Sequence, residues 1–175
     1  QTAGRKPAHA PDEYAAIPGA DFEIVVFDPT YRGLLTALRE AAAEKPGEKP
    51  TLWVIDTMSG VWDVLKEMAS AEQLARLKRR AEKSRQPFDP DQEVDPTMDL
   101  WNTAKKRHAA ILGLLRAHDG PVILTARMQQ TTIMDHGKPS ADKEWKIDSE
   151  KNLPFEVDAI IEMPEQGVAF VRGVR

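Results

Sequence analysis

Side chains able to bind a metal–phosphate complex follow two short apolar runs of the sequence. Leu52–Ile55 is closed by Asp56 and Thr57, and a second run ends at Thr125, with Arg127 two residues later. In open α/β sheets, ligands bind outside the carboxyl ends of parallel strands, where an aspartate can act through Mg²⁺ on a nucleotide. We predict that Asp56, with Thr57 or water, binds Mg²⁺. Thr125 and Arg127 are predicted to contact the phosphates.

Asp56 also fits a purely structural role. An aspartate at the end of a strand can cap the helix or loop that follows it. The hydroxyls of Thr57 and Ser59, the long helix predicted after them and the later strand that ends at Thr125 favour the nucleotide site.

The sequence lacks the loop that normally binds the phosphates beside such an aspartate. The pattern G-x-x-x-x-G-K-[ST] occurs nowhere in the 175 residues. Gly4-Arg5-Lys6-Pro7 lacks the first glycine and the hydroxyl of this pattern. Gly137-Lys138-Pro139-Ser140 also fails, because Thr132 stands where the pattern requires its first glycine. The chain begins with Gln1, which suggests a processed or trimmed segment whose phosphate loop lies upstream. We expect this chain alone to bind ATP weakly or not at all, and to be inactive as an enzyme.

Strand and helix patterns alternate along the chain. Apolar runs predict strands at 22–27, 52–56 and 122–125. Apolar residues at helical spacing predict helices over 31–43, 60–85 and 97–118. A terminal hairpin is predicted from 159–163 and 168–172. This order predicts an α/β layered sheet.

Prolines and glycines divide the chain into a core and its loops. Residues 1–20 are predicted to be a flexible amino-terminal arm, and 21–175 a single core domain. Within the core, 86–96 and 127–150 are predicted to be mobile loops, because the first is rich in proline and acids and the second is long and polar.

Composition restricts the possible classes of protein. A length of 175 residues suits one domain, and the net charge of −4 leaves nucleic-acid binding to local patches. The absence of cysteine fits a reducing compartment. No apolar run is long enough for a transmembrane helix, so we expect a cytoplasmic protein that does not bind membranes.

Three segments resemble the phage-type RecA-like P-loop ATPases, which are related to phage single-strand annealing and recombination ATPases. Leu52–Trp62 resembles the Walker B region, and Val122–Arg127 resembles a strand that ends in a sensor position. Lys151–Asp158 resembles the lysine-led segment before the last strands. Each motif is weak alone, but the three occur in the expected order.

The resemblance implies a RecA-like P-loop NTPase core with a mainly parallel sheet flanked by helices, binding ATP and Mg²⁺. It assigns Asp56 to the metal and Thr125 with Arg127 to phosphate sensing. Lys151 would reach the nucleotide of a neighbouring subunit, although a solvated lysine before a turn is equally compatible. The implied setting is a homo-oligomer in a phage-infected bacterium, acting on single-stranded DNA with phage or host recombination and replication proteins.

Basic residues could supply the DNA contacts. The resemblance places a DNA-contacting loop at 127–150, where Lys138, Lys143 and Lys146 accompany Trp145, a possible stacking ring. A second cluster spans 76–85, where six basic side chains either complement the helix dipole in solvent or contact phosphates.

Two functional hypotheses remain open from the sequence, beside the possibility that Asp56 is only a cap. The first is the ATPase core of a protein that acts on single-stranded DNA. The alternative is a non-enzymatic α/β module, without a phosphate loop, that binds a protein partner or DNA. An upstream G-x-x-x-x-G-K-[ST] would distinguish them.

Overall fold

Helices and short strands alternate in the computed structural model, which describes residues 18, 22–25, 28–43, 47, 50–135 and 138–174. Within these residues there are three α-helices and six strands. The helices are α1 (Tyr31–Ala43), α2 (Met58–Ser84) and α3 (Met98–Arg116). The strands are β1 (Trp53–Ile55), β2 (Val122–Leu124), β3 (Met128–Asp135), β4 (Lys138–Ile147), β5 (Ala159–Glu165) and β6 (Val168–Val174).

The two most apolar strands pair in parallel. Trp53 lies opposite Val122 and Ile55 opposite Leu124 in the β1–β2 register. The Thr125 N–H donates to the Ile55 carbonyl at 3.1 Å, which extends the pairing beyond the strands. Parallel pairing therefore brings the carboxyl ends of β1 and β2 to the same edge.

The predicted RecA-like core with a mainly parallel sheet is wrong. The described residues form three separate two-stranded sheets, of which only β1–β2 is parallel, whereas β3–β4 and β5–β6 are antiparallel. Phe22–Val25, predicted as part of a strand, has no strand structure, and 26–27 lie outside the described residues.

Lack of cover on one face distinguishes the β1–β2 pair from the core of a parallel sheet. Parallel sheets are normally covered on both faces, but Val54 and Ile123, which lie opposite each other, are 53% and 50% exposed. Helices cover the face that carries Trp53, and no third strand joins the pair among the described residues.

Local capping determines where α2 begins and ends. The Thr57 hydroxyl accepts a hydrogen bond from the Gly60 N–H at 3.0 Å, so Thr57 caps the helix, as threonine often does. The helix ends at Arg85, a left-handed residue (φ 55°) whose N–H reaches the Ala81 and Glu82 carbonyls. This helix starts two residues before the predicted boundary.

The core lies between the first half of α2, α3, α1 and the β1–β2 pair. Leu65 of α2 and Ile111 of α3 are almost fully buried within one apolar cluster. No residue of α2 after Ala69 is buried. The second half of this 27-residue helix therefore contributes little to the core. None of the helices in the described ranges is long and apolar enough to cross a membrane.

The segment 127–150, predicted as a loop, contains an antiparallel hairpin. β3 and β4 pair from Met128–Ile147 to Asp135–Lys138, with an irregularity between Thr132 and Met134. Most of their side chains are exposed. The face that carries Trp145 is mainly apolar but is interrupted by polar residues, and the opposite face is polar. This interrupted alternation is a weak strand signal, and the segment therefore resembled a loop.

The predicted terminal hairpin is present as β5–β6, with Gly167 at positive φ (79°) in its turn. Residues 86–96 contain no helix or strand, as predicted for a loop. Except for Pro18, the predicted amino-terminal arm at 1–20 lies outside the described residues.

Candidate functional site

Asp56 and Thr125 meet at the carboxyl edge of the β1–β2 pair. The Thr125 hydroxyl donates to Asp56 Oδ1 at 2.6 Å, although the two residues are 69 positions apart in the sequence. The same hydroxyl lies 3.4 Å from the Ile55 carbonyl. Two of the predicted nucleotide-site residues are thus in direct contact, and the threonine orients the carboxylate.

The start of α2 is tied to the residues that follow β2. The Met58 N–H donates to the Thr125 carbonyl at 2.8 Å, and the Arg127 N–H donates to the Ser59 hydroxyl at 2.8 Å. Ser59 is completely buried. These bonds fix the first turn of the helix beside Asp56. Thr57 caps this turn, and its hydroxyl oxygen already accepts the bond from the Gly60 N–H.

The side chain of Arg127 points to two carboxylates rather than to Asp56. Its Nη2 lies 2.9 Å from Asp63 Oδ2 and 3.4 Å from Asp148 Oδ2. Lys66 also pairs with Asp63, at 2.7 Å. Burial opposes ionisation of Asp63, but the hydrogen bond and charge of Lys66, with the charge of Arg127, lower its pKa below the usual value. A phosphate bound by Arg127 would therefore compete with these two carboxylates for the guanidinium.

Asp63 and Asp148, the two acids that hold Arg127, were not predicted from the sequence. Asp63 lies four positions after Ser59 on α2, so both face the same side of the helix. That spacing was a usable signal for Asp63. Asp148 follows β4, and its N–H donates to the Arg127 carbonyl at 2.8 Å. Because β4 was not predicted, no local pattern indicated that Asp148 would lie here.

Lys151 is not part of this cluster. It lies exposed in the turn before a short 3-10 helix at Leu153–Phe155. Among the described residues, no hydrogen bond or ion pair connects it to Asp56, Thr125 or Arg127. A role at the nucleotide of a neighbouring subunit remains a prediction.

The acidic and hydroxyl groups at this edge can hold Mg²⁺ only together with other ligands. The part of the chain that the structure describes contains no group of three or more His, Cys, Asp or Glu residues able to hold a metal ion. In nucleotide sites, however, Mg²⁺ usually takes one or two protein ligands and completes its shell with phosphates and water. Asp56, with a neighbouring hydroxyl, fits that second kind of site.

The predicted DNA-contacting residues are divided between the two faces of the β3–β4 ribbon. Trp145, which is 61% exposed, lies opposite Gln130 and shares its face with Lys143. Lys146 points to the other face and pairs with Glu144 at 2.6 Å. Lys138 lies opposite Asp135 at the far end of the ribbon. Only Lys143 is therefore placed beside the exposed ring.

The DNA prediction can be tested on this ribbon. Replacing Lys138, Lys143 and Lys146 together by glutamine should weaken binding of single-stranded DNA. It should also reduce the slope of log affinity against log salt by up to about 2, since each phosphate contact contributes about 0.7. Fluorescence anisotropy over a salt series measures both quantities. Trp145→Ala is the companion variant, because loss of stacking weakens binding without changing the slope. An unchanged slope in the lysine variant excludes the ribbon as the DNA site.

No protein-family model, curated protein or solved structure matches the chain. The geometry at the β1–β2 edge is therefore the main basis for a functional proposal.

Proposed function

We propose that the chain binds a Mg²⁺–nucleoside triphosphate, with ATP as the expected ligand, at the carboxyl edge of β1–β2. The observation that carries this proposal is the 2.6 Å hydrogen bond from Thr125 to Asp56 beside the first turn of α2. A carboxylate oriented by a hydroxyl, next to the positive end of a helix dipole, suits a cation bound to phosphate. The proposal concerns this edge alone and does not require a RecA-like sheet.

Each residue of the edge would have a separate task. Asp56 would hold Mg²⁺ directly or through water, and Thr125 would keep the carboxylate in position. Arg127 would leave Asp63 and Asp148 and contact the phosphates. When bound, Mg²⁺ would neutralise charge on the phosphate oxygens.

High affinity would need a further phosphate-binding element, because this sequence contains no G-x-x-x-x-G-K-[ST]. In a protein that combines both elements, the expected activity is ATP hydrolysis coupled to work on single-stranded DNA in recombination or replication. The proposed setting is a cytoplasmic homo-oligomer, in which Lys151 would act on a neighbouring subunit's nucleotide. Phage or host recombination proteins are its proposed partners.

Nuclear magnetic resonance titration of the 175-residue chain tests the nucleotide site directly. With Mg²⁺ present, ATP should shift the amide signals of Asp56–Gly60 and Thr125–Arg127, with a dissociation constant of roughly 1 mM, equivalent to about −4 kcal/mol. ATP without Mg²⁺ should have a much smaller effect. Asp56→Asn should abolish the Mg²⁺-dependent shifts and leave the melting temperature nearly unchanged, because the amide keeps the acceptor for Thr125.

Asp89→Asn is the matched control, since it removes one carboxylate from a loop outside the site. The proposal fails if Mg²⁺–ATP at 10-fold above about 1 mM shifts no signal at this edge, or if Asp56→Asn responds like the unchanged chain. It also fails if the shifts occur only elsewhere in the molecule.

One observation favours the alternative of a non-enzymatic binding module. Leu52, Val54 and Ile123 are each about half exposed, and the last two lie side by side on the β1–β2 pair. An apolar group of this kind suits contact with a protein partner. Under this alternative, Val54→Ser with Ile123→Ser weakens partner binding, and Mg²⁺–ATP leaves the β1–β2 edge unaffected.

A further inference from the structure

Opposite charges are segregated at the end of α2 that lies far from Asp56. Between 76 and 85 there are six basic residues and one acid, Glu82. Only three residues separate this stretch from the segment 89–95, which has four acids and no basic residue. We call 76–85 the basic end and 89–95 the acidic loop. The chain as a whole has a net charge of −4, so the basic end is a local feature.

Most cations of the basic end have no ion pair within the described structure. Arg76 pairs with Asp99 and Glu72, and Arg79 pairs with Glu72. The remaining four are exposed and make no ion pair with any described acid. These are Lys78, Arg80, Lys83 and Arg85.

The acidic loop is similarly without cationic partners. Asp89 Oδ1 accepts the Asp91 N–H at 2.9 Å, which is a local turn contact. None of the loop's four carboxylates forms an ion pair with a described lysine or arginine, although the basic end is adjacent in sequence. Both charged groups therefore remain available to an external partner.

Open grooves and apolar side chains accompany these charges. A cavity of about 630 Å³ separates the middle of α2, at Ser70–Leu74, from the loop at Gln92–Asp95. A second cavity of about 470 Å³ lies between α2 and α3, where Met68 and Leu100 contribute to its lining. Met98, at the start of α3, is 70% exposed. This part of the surface thus offers shape and apolar contact as well as charge.

From this arrangement we infer that a second copy of the chain docks here. In a two-fold symmetric pair, the basic end of each copy faces the acidic loop of the other. A surface with adjacent positive and negative parts is self-complementary under such symmetry. Complementary charge also fixes the register of the two copies and speeds their encounter.

The adjacent acids disfavour nucleic acid as the occupant. A phosphate backbone that bound the basic end would lie close to the acidic loop. Because the screening length at physiological salt is about 8 Å, these carboxylates would repel it. A second copy instead supplies acids to the basic end and basic residues to the acidic loop.

The inference can be tested with two charge-reversed variants, studied first separately and then as a mixture. The first variant combines Lys78→Glu, Arg80→Glu and Lys83→Glu, and the second combines Asp91→Lys, Glu93→Lys and Asp95→Lys. Arg85 and Asp89 are left unchanged, because one forms the end of α2 and the other holds the local turn. Sedimentation equilibrium at low salt should find dimers of the unchanged chain, and monomers of each variant alone. An equimolar mixture of the two variants should restore dimers, since each now carries the charges that the other needs.

High salt should dissociate the dimer of the unchanged chain, because it screens exposed charges. Neutral versions of the variants, with glutamine or asparagine, provide a second test if a reversed chain is shown by circular dichroism to be unfolded. They should weaken self-association at least 10-fold.

Three results would overturn the inference. One is an unchanged chain that stays monomeric at low salt and high concentration. Another is a mixture of folded variants that does not dimerise. The third is salt-sensitive binding of single-stranded DNA that depends on Lys78, Arg80 and Lys83 in a chain that does not self-associate. That last result would assign the basic end to nucleic acid.

Discussion

Replacing Leu65 with alanine lowers the free energy of unfolding by about 3 kcal/mol, within the range known for buried leucines. Leu65 is only 1% exposed and belongs to the cluster that joins α2 to α3 and the β1–β2 pair. The variant loses the transfer free energy of the removed carbons and leaves a cavity that its neighbours fill only in part. Domains are usually stable by about 5–15 kcal/mol, so this loss is a large fraction of the total.

Urea unfolding followed by circular dichroism measures this change, and the melting temperature should fall by about 6–12 °C. Leu77→Ala is the matched control, because Leu77 lies on the same helix but in the half that contains no buried residue. Its effect should be smaller, about 1–2 kcal/mol, since Leu77 is only partly buried and its removal leaves no enclosed cavity. Equal losses in the two variants would contradict a core confined to the first half of α2.

Lowering the pH from 7.5 to 5 destabilises the protein through His108. This side chain is 2% exposed, and its Nε2 atom is buried without a hydrogen-bond partner. Burial lowers the pKa of His108 below its usual 6.5, and the charges of Glu150 and Glu156 oppose this shift only partly. The Trp62 ring packs edge-on at 5.7 Å and offers no acceptor. The folded protein therefore keeps this imidazole neutral.

The pKa shift gives the direction of the pH dependence. Below pH 6.5, the unfolded chain binds a proton at His108 that the folded protein does not, so stability falls as the pH decreases toward the lowered pKa. The slope from one such group is at most about 1.4 kcal/mol per pH unit. Glu156 pairs with Arg116 and Glu150 accepts the Asn152 N–H at 2.8 Å, and neither carboxylate forms a hydrogen bond with His108 Nε2.

Two substitutions distinguish the effect of protonating His108 from the cost of burying its unpaired nitrogen. His108→Leu and His108→Gln should both reduce the pH dependence between 5 and 6.5. Only His108→Leu should raise the free energy of unfolding at pH 7.5, by about 1–2 kcal/mol, because it removes the unsatisfied nitrogen. Urea unfolding at four pH values measures both effects. A pH dependence that persists unchanged in both variants would assign it to other groups.

Local sequence signals predicted the helices well. α1 has the predicted limits, and α3 lies within the predicted 97–118. These helices depend on periodic apolar residues and on turn residues at their ends, which are encoded within a few positions. Asp56 and Thr125 were predicted at the ends of neighbouring strands, but the hydrogen bond between them was not predicted.

The sheets were predicted less well, because strand pairing depends on distant partners. The run at 22–27 resembles 52–56 in composition, but Phe22–Val25 does not form a strand. The ribbon at 128–147 has an apolar face that polar residues interrupt, so its alternation was weak and it resembled a loop. Arg127 was predicted at the site, but its two acidic partners were not. Asp63 and Asp148 approach Arg127 only after α2 and β4 have formed.

The continuity of α2 has a mechanical consequence. A single helix of 27 residues runs from the capping residue Thr57 to Arg85, a length of about 40 Å. The core fixes only its first half, so any bending must occur beyond Ala69. A bend of about 10° there would move the far end by about 4 Å, over a remaining length of about 22 Å. The basic end could thus shift to meet a partner while the residues beside Asp56 stay in place.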